Sequence, residues 1–397
     1  GIRARSVSRG LGDVYKRQKG SFGLSPKGRQ LRNALIGVQY VASFGLIIGA
    51  TFMYLQNYYM QNTPLGYDKD EIIITNMNNN IRKSRDAFAS QVKSFSGIEE
   101  VTYAEMLLSS QDQYMGWGRK YRDKDIQFQC LPVEPSFLKV MNVKISEGRD
   151  FREEDKAKRY GTFVFNERAR TEYGLEIGSL IDSMEIVGFM PDVKFASFRT
   201  EVTPMAFFVW GTNNWGNQPN YAYIKVKAGS DLRGAMQHVK TTLQSFDPEY
   251  PFNVRFFDEV LNGLYEKERS LSSLITLFSL IAIFISVVGV FGLVVFDSEY
   301  RKKEIGIRKV LGSTTEEIIV MFNKTYIRIL CVCFVLGAPI AGYVVHRWLE
   351  NFAYKTPMYW WVYLIAFAII AVITILTVTF QNWRAANANP VDSIKTE

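Results

Sequence analysis

Four apolar stretches constrain this chain more than anything else in it: residues 31–55, 271–296, 326–345 and 360–380. Each is close to the about 20 residues needed to cross a bilayer as a helix. Between the first two lie residues 56–265, which are polar on average and long enough to bury a core of their own. The expected architecture is an α+β membrane protein, with four transmembrane helices and a large external α+β domain inserted between helices 1 and 2.

Charge orients the arrangement. Residues 56–265 hold 25 Lys/Arg against 28 Asp/Glu, a net −3, whereas the whole chain carries +8, so the remaining segments carry +11. The excess sits before the first span (Lys27, Arg29, Arg32), after the second (Arg301, Lys302, Lys303, Arg308, Lys309) and after the fourth (Arg384, Lys395). The positive-inside rule places those segments in the cytoplasm and the large domain outside. This distribution also argues against nucleic-acid binding, because the basic residues hug membrane ends and form no soluble stripe. Cys331 and Cys333 fall in the third span and Cys130 is alone in the external domain, so no disulfide staples that domain.

The organisation read along the chain is as follows. Residues 1–18, GIRARSVSRGLGDVYKRQ, lack an initiator Met and resemble an adaptor-derived tail; the alternative is a basic cytoplasmic arm, and the missing start suggests a piece of a longer protein. Residues 19–30 form a cytoplasmic lead-in. Gln39 inside the first span is expected to serve helix packing, and Tyr54, Tyr58 and Tyr59 an outer aromatic belt. In the external domain, 71–75 (EIIIT), 101–108, 222–226 (AYIKV) and 252–256 read as strands. Residues 81–95, with Phe88, Val92 and Phe95, and 232–246 read as amphipathic helices. These make a βαβ-type unit, 56–128 and 220–265, split by an inserted subdomain at 129–219 that opens with strand-like QFQCLPV (127–133) and includes a helix near 136–142. Residues 257–296 contain no Pro, so one helix is expected to run from a stalk at about 257 through the second span, broken at most near Gly263. Pro339 is expected to kink the third span. Residues 297–325 and 381–397 are cytoplasmic.

No catalytic apparatus is visible. His238 and His346 sit in no metal-ligand spacing and read as structural, the acidic run 153–155 reads as a solvated turn, and a GxxxxGK[ST] phosphate loop is absent. An ATP-driven role therefore requires a separate ATPase; no cofactor, metal or catalytic residue is assigned to the chain.

Residues 301–313, RKKEIGIRKVLGS, begin five residues after the second span ends. Five of the thirteen are basic, and Ile305, Ile307, Val310 and Leu311 supply an apolar stripe at helical spacing, so a short helix lies at the membrane face, as a charged flank or as a docking element. The string resembles the signature loop of the FtsX-like permease family, the membrane subunits of MacB-type ABC systems. EGRDFREEDKA (147–157), VFNERARTEYGLEIGS (164–179) and IVGFMPDVKFASFRTEVTP (186–204) resemble successive blocks of a MacB-like periplasmic domain. In these blocks an Asn-containing strand leads into a helix ending at Gly174, and a strand turn near Gly188 precedes an FxSxR stretch. ANPVDSIKTE (388–397) resembles the family's cytoplasmic terminus, and the lead-in 31–49 resembles the second repeat of eight-span members.

The resemblance implies a permease subunit, or half of one, in the bacterial inner (plasma) membrane. It would couple ATP hydrolysis by a cytoplasmic ABC ATPase to movement of the periplasmic domain and export of a substrate. A signalling variant, acting on a periplasmic hydrolase or sensing a peptide, uses the same architecture. Arg301, Lys303, Glu304, Ile305, Gly306, Arg308, Lys309 and Gly312 correspond to the ATPase-contacting segment. The implied partners are the ATPase, a second permease half or homodimer partner, a periplasmic adaptor with an outer-membrane channel, and membrane lipids.

Overall fold

The computed structural model describes residues 26–110, 114–213, 219–300, 304, 307, 308 and 311–386, without the side chains of 26–32, 298–300, 385 and 386. The readings placed on 1–18 and 388–397 lie outside the described residues. The chain divides into two compact units. One holds residues 1–58, 270–350 and 356–397; the other holds 59–269 together with the short link 351–355.

The first unit contains four helices long and apolar enough to span a membrane: Asn33–Asn62, Glu266–Asp297, Thr315–Leu349 and Trp360–Arg384. Its core follows helical spacing. Ile36, Tyr40, Phe44, Ile48 and Phe52 are buried along one stripe of the first span, while Leu35 and Val38 face outward. Phe44 packs against Phe334 and Phe367 of the third and fourth spans, with ring centroids 5.2 and 6.4 Å away. Small residues allow close approach. A Cβ at Gly337 would already touch the Val41 backbone, and the Gln39 amide lies over Gly289 so closely that a Cβ there would collide with it. The third helix continues without interruption through Pro339. Two hydroxyl pairs, Tyr40–Thr374 at 3.0 Å and Ser43–Ser286 at 2.8 Å, join the first span to the fourth and the second.

The second unit is built on two sheets. The smaller has strands β1 (Ile72–Asn76), β2 (Ile98–Ala104), β10 (Tyr221–Val226) and β11 (Arg255–Phe256) in the order β11-β1-β10-β2, with every neighbouring pair antiparallel. Helices Asn79–Lys83 and Arg85–Lys93 join β1 to β2, and Leu232–Phe246 joins β10 to β11. This is the split βαβ arrangement doubled, in which each pair of parallel strands encloses a strand of the other. Alternation along β1 decides which core each side chain enters: Ile73 meets the helices (Phe88, Val92, Val239, Leu243), whereas Ile72 and Ile74 face the core shared with the larger sheet. The Leu232–Phe246 helix starts at Asp231, whose carboxylate accepts from the Arg233 and Gly234 amides, and buries Ala235, Val239 and Leu243 at a spacing of four.

The larger sheet comprises β3 (Met115–Tyr121), β4 (Lys124–Pro132), β5 (Glu147–Gly148), β6 (Thr162–Asn166), β8 (Met184–Met190) and β9 (Met205–Val209) in the order β3-β4-β9-β6-β8-β5, with β7 (Leu180–Ile181) pairing β8. Because β3 belongs to this sheet and β2 ends at Ala104, the inserted lobe occupies the chain from just after 104, earlier than the 129 read from the sequence. The strand read at 127–133 is β4; its hairpin partner β3 was missed because Gly116 and Gly118 weaken the strand pattern. One face of the sheet packs on the smaller lobe through Leu131, Val164 and Phe207; the other carries Phe128, Phe163, Phe165 and Phe208. Asn166 organises the end of β6. Fully buried, it caps helix Glu167–Tyr173 by accepting from Ala169 N at 3.1 Å, accepts from Met205 N at 3.0 Å, and donates to Thr203 O at 2.9 Å. Gly174 closes that helix in the left-handed region at φ 66°.

Of the two readings of the stalk, one continuous helix or two helices broken near Gly263, the structure has the second. The helix does not run unbroken from 257: Phe257–Leu264 ends at Tyr265, whose φ of −114° leaves the helical region, and a new helix, Glu266–Tyr300, follows. The Tyr265 hydroxyl accepts a hydrogen bond from Phe198 N at 2.9 Å, a tertiary tie made at the break itself.

Candidate functional site

The segment after the second span is built as a short helix, a glycine stop and a new capped helix. Glu304, Ile307 and Arg308 are helical, and Glu304 and Arg308, one turn apart, form an ion pair at 2.9 Å. The Leu311 amide donates to Ile307 O at 3.0 Å and the Ser313 amide to Arg308 O at 2.9 Å. The second bond reaches back five residues over Gly312, which sits at φ 97°. That is the Schellman closure, which needs a residue free to adopt positive φ. Two residues on, Thr314 Oγ1 accepts from Glu317 N at 3.3 Å while Glu317 Oε2 accepts from Thr314 N at 3.1 Å. This reciprocal capping box starts the Thr315–Leu349 helix.

Two features give the segment chemical character. Ile307 and Leu311 lie one turn apart and are exposed, Leu311 to 79%. Beside them stand the half-exposed charges Glu304 and Arg308. An apolar pair flanked by both signs of charge presents a surface that a protein groove can desolvate and pair.

The base of the segment is fixed by residues that sequence reasoning missed. Buried Tyr326, on the third helix, donates from its hydroxyl to Asp297 Oδ2 at 3.2 Å, tying it to the end of the second span. Asn323, one turn earlier, donates to Thr379 Oγ1 of the fourth helix at 3.0 Å. The only signal in the sequence was an acid at the end of an apolar run and a tyrosine 29 residues later, a spacing with no local periodicity.

Of the expected contact residues, Glu304, Arg308 and Gly312 are placed together here; Arg301, Lys303, Ile305, Gly306 and Lys309 lie outside the described residues. Gly312 proves to be the stop of the helix. The two histidines have contacts of their own. His238 bonds Gln91 O at 3.0 Å and stacks on Phe95, and His346 lies 3.5 Å from Glu350.

In the acidic run 153–155, read from the sequence as a solvated turn, Glu153 and Glu154 are exposed but Asp155 is not. Asp155 is buried, receives both Arg149 guanidinium nitrogens at 2.8 Å and accepts from Arg152 N at 2.8 Å. Burial alone would raise its carboxyl, but the Arg149 pair and the Arg152 amide reverse that and hold it below the ordinary carboxylate range.

Comparison with known proteins agrees with this architecture. Residues 36–242, just over half of the chain, match the family model of the MacB-like periplasmic core domain, and residues 276–390 match that of the FtsX-like permease C-terminal region. The macrolide export ATP-binding/permease protein MacB of Chromobacterium violaceum is 23% identical over 292 residues, covering 70% of this chain and 45% of that protein. The protein of the same name from Escherichia coli (strain K12) is 23% identical over 233 residues, covering 55% and 35%. The chain thus spans less than half the length of these curated relatives. Among solved structures, the periplasmic region of MacB from Actinobacillus actinomycetemcomitans aligns with a TM-score of 0.36 at 14% identity, covering 49% of this chain and 92% of that one. A domain of a putative permease protein from Porphyromonas gingivalis aligns with a TM-score of 0.33 at 18% identity, covering 49% and 93%. With both family models falling on the units in which the membrane helices and the two-sheet domain were found, the chain belongs to the FtsX-like, MacB-type permeases and is a membrane protein with a MacB-like periplasmic domain.

Proposed function

We propose that this chain is the permease part of an ABC transporter in the bacterial inner membrane, coupling ATP hydrolysis by a separate cytoplasmic ATPase to movement of its periplasmic domain and export of a substrate. The observation that carries the reading is the exposed Ile307–Leu311 pair beside the Glu304–Arg308 ion pair. These are held on a helix closed by Gly312 and followed at once by a capped membrane helix. A segment of this build transmits a push: its two ends are fixed, and its apolar residues have no cover among the described residues. ATP would be bound by the partner, since the sequence holds no GxxxxGK[ST] phosphate loop.

The outward face of the second span is apolar and suits lipid or a further copy or permease half as partner. Leu277, Phe278, Phe284, Ile285 and Val288 are all exposed, while burial on that helix concentrates near its later turns at Val290, Leu293 and Val294. By analogy with efflux systems, a periplasmic adaptor and an outer-membrane channel would complete the assembly, with lipid around the spans.

The test is co-purification of the full chain with its cognate ATPase, together with the hydrolysis rate of the complex. Leu311→Asp and Glu304→Lys are expected to lose association or stimulation while the membrane fold survives, because both side chains are exposed. Wild-type association and stimulation in both variants would reduce the segment to a charged flank and end the coupling reading.

A further inference from the structure

We propose that the FASFR loop, residues 195–199 between β8 and β9, is the transmission contact through which the ends of the membrane helices act on the larger lobe of the periplasmic domain. Phe198 is the wedge and Arg199 with Glu268 the latch. The inference rests on the coupling function proposed above and assigns to it residues on the external side.

The argument is one of convergence. Phe198 is 1% exposed although it lies in a loop. Around it meet residues from the end of the first membrane helix, the start of the second and the link between the third and fourth. Tyr59, in the last turn of the helix Pro26–Asn62, sets its ring edge-on at 6.1 Å. Tyr265, immediately before the helix Glu266–Tyr300, accepts from the Phe198 amide at 2.9 Å. Tyr354, in the link between the third and fourth helices, donates its amide to Phe198 O at 3.1 Å and places its ring 5.9 Å away. Its hydroxyl lies 3.3 Å from the Val202 amide, on the other side of the loop. A single phenylalanine is thus held through its amide, its carbonyl and its ring by three segments far apart in sequence.

Arg199 adds a polar lock. Its guanidinium pairs with Glu268, on the first turn of the second membrane helix, and lies over Phe352 at 5.6 Å. Glu268 is only 5% exposed, and its second carboxylate oxygen has no hydrogen-bond partner among the described residues. An apolar pair of similar size would hold a static junction at least as well, since a buried ion pair is weak evidence for stability. A charged pair instead acts as a latch: when the helix end carrying Glu268 shifts, separating the pair would strand a buried carboxylate, so Arg199 is drawn with it.

The root of the loop continues the path inward. Phe195 stacks on Tyr67 at 4.7 Å and meets Phe207 of β9 at 5.2 Å, and its carbonyl accepts from the Tyr114 hydroxyl at 2.8 Å. Displacement of Phe198 therefore reaches β9 through close-packed side chains, which pass strain on and do not absorb it.

The experiment uses the full chain with its cognate ATPase in nanodiscs. Spin labels are placed on the exposed positions Lys124→Cys, at the β3–β4 turn of the larger lobe, and Lys267→Cys, at the base of the second membrane helix. The label distance is read with and without ATP, beside the hydrolysis rate. In the wild type ATP changes the distance. Phe198→Ala and Arg199→Ala are expected to abolish most of that change while the complex continues to hydrolyse ATP; Phe198→Leu, which keeps most of the apolar bulk, retains it. Because Arg199→Ala alone would leave the buried Glu268 carboxylate without its cation, it is made together with Glu268→Gln, so that the latch is tested without a stranded charge. An undiminished distance change in Phe198→Ala and Arg199→Ala overturns the inference and leaves the coupling function standing. No ATP-dependent change in the wild type overturns the coupling function itself.

Discussion

Tyr326 donates its buried hydroxyl to Asp297 across 3.2 Å, closing the base of the segment between the second membrane helix and the third. The bond fixes where the second helix ends relative to the start of the third, and so where Ile307 and Leu311 are presented. Tyr326→Phe removes the donor and leaves a carboxylate short of a partner, a loss of about 1–3 kcal/mol. The expected result is a lower thermal midpoint in detergent and weaker stimulation of the ATPase. Unchanged values on both counts would make the bond incidental.

Gly312 sits at φ 97°, where a side chain costs about 1–2 kcal/mol. Gly312→Ala should therefore loosen the Schellman closure and lower coupling, while Ser313→Ala, which keeps the amide bonded to Arg308 O, should not. Hydrogen exchange at the Ser313 and Glu317 amides reads the local change directly. Equal protection in both variants would show that the stop needs no glycine.

Asn166 satisfies two amides and one carbonyl at the junction of β6, its following helix and β9. Asn166→Ala loses the cap, worth about 1 kcal/mol, and strands the Met205 amide, about 1–3 kcal/mol more. Asn166→Asp keeps both acceptor contacts and should lose less than the alanine variant. Unfolding of the external unit, followed by the fluorescence of Trp117 and Trp210, separates the two. The reverse order would reject this reading of the residue.

Asp155 makes the external unit acid-sensitive. Its carboxyl titrates below the ordinary range in the folded protein despite burial, because of the Arg149 pair and the Arg152 amide. The unfolded chain therefore takes up this proton first. The stability it contributes is complete above the unfolded value, about pH 4, and is lost as pH falls further, through the folded value. Asp155→Asn should cost about 2 kcal/mol at neutral pH, at the low end for a buried pair because Arg149 is partly solvated. It should also flatten the decline below pH 4. An unaltered acid limb in the variant would assign that decline to other carboxylates.

The sequence by itself determined the membrane helices, the placing of a large polar domain between the first and second, and the family. Those properties are local: a run of about 20 apolar residues must find hydrocarbon or a core wherever it sits, and motif blocks in order survive without knowledge of contacts. The amphipathic helix 232–246 is legible for the same reason, since its apolar spacing is local. Only the tertiary structure decided the strand order β11-β1-β10-β2, the larger lobe beginning just after 104, and whether the helix breaks near Gly263 or runs on, which the tie of Tyr265 to Phe198 accompanies. It also decided the meeting of Asp297 with Tyr326 and of Phe198 with Tyr59, Tyr265 and Tyr354. Those contacts join residues tens to hundreds of positions apart. Their energy comes from packing and hydrogen bonds that exist only once the chain is folded, so no periodicity in the sequence encodes them.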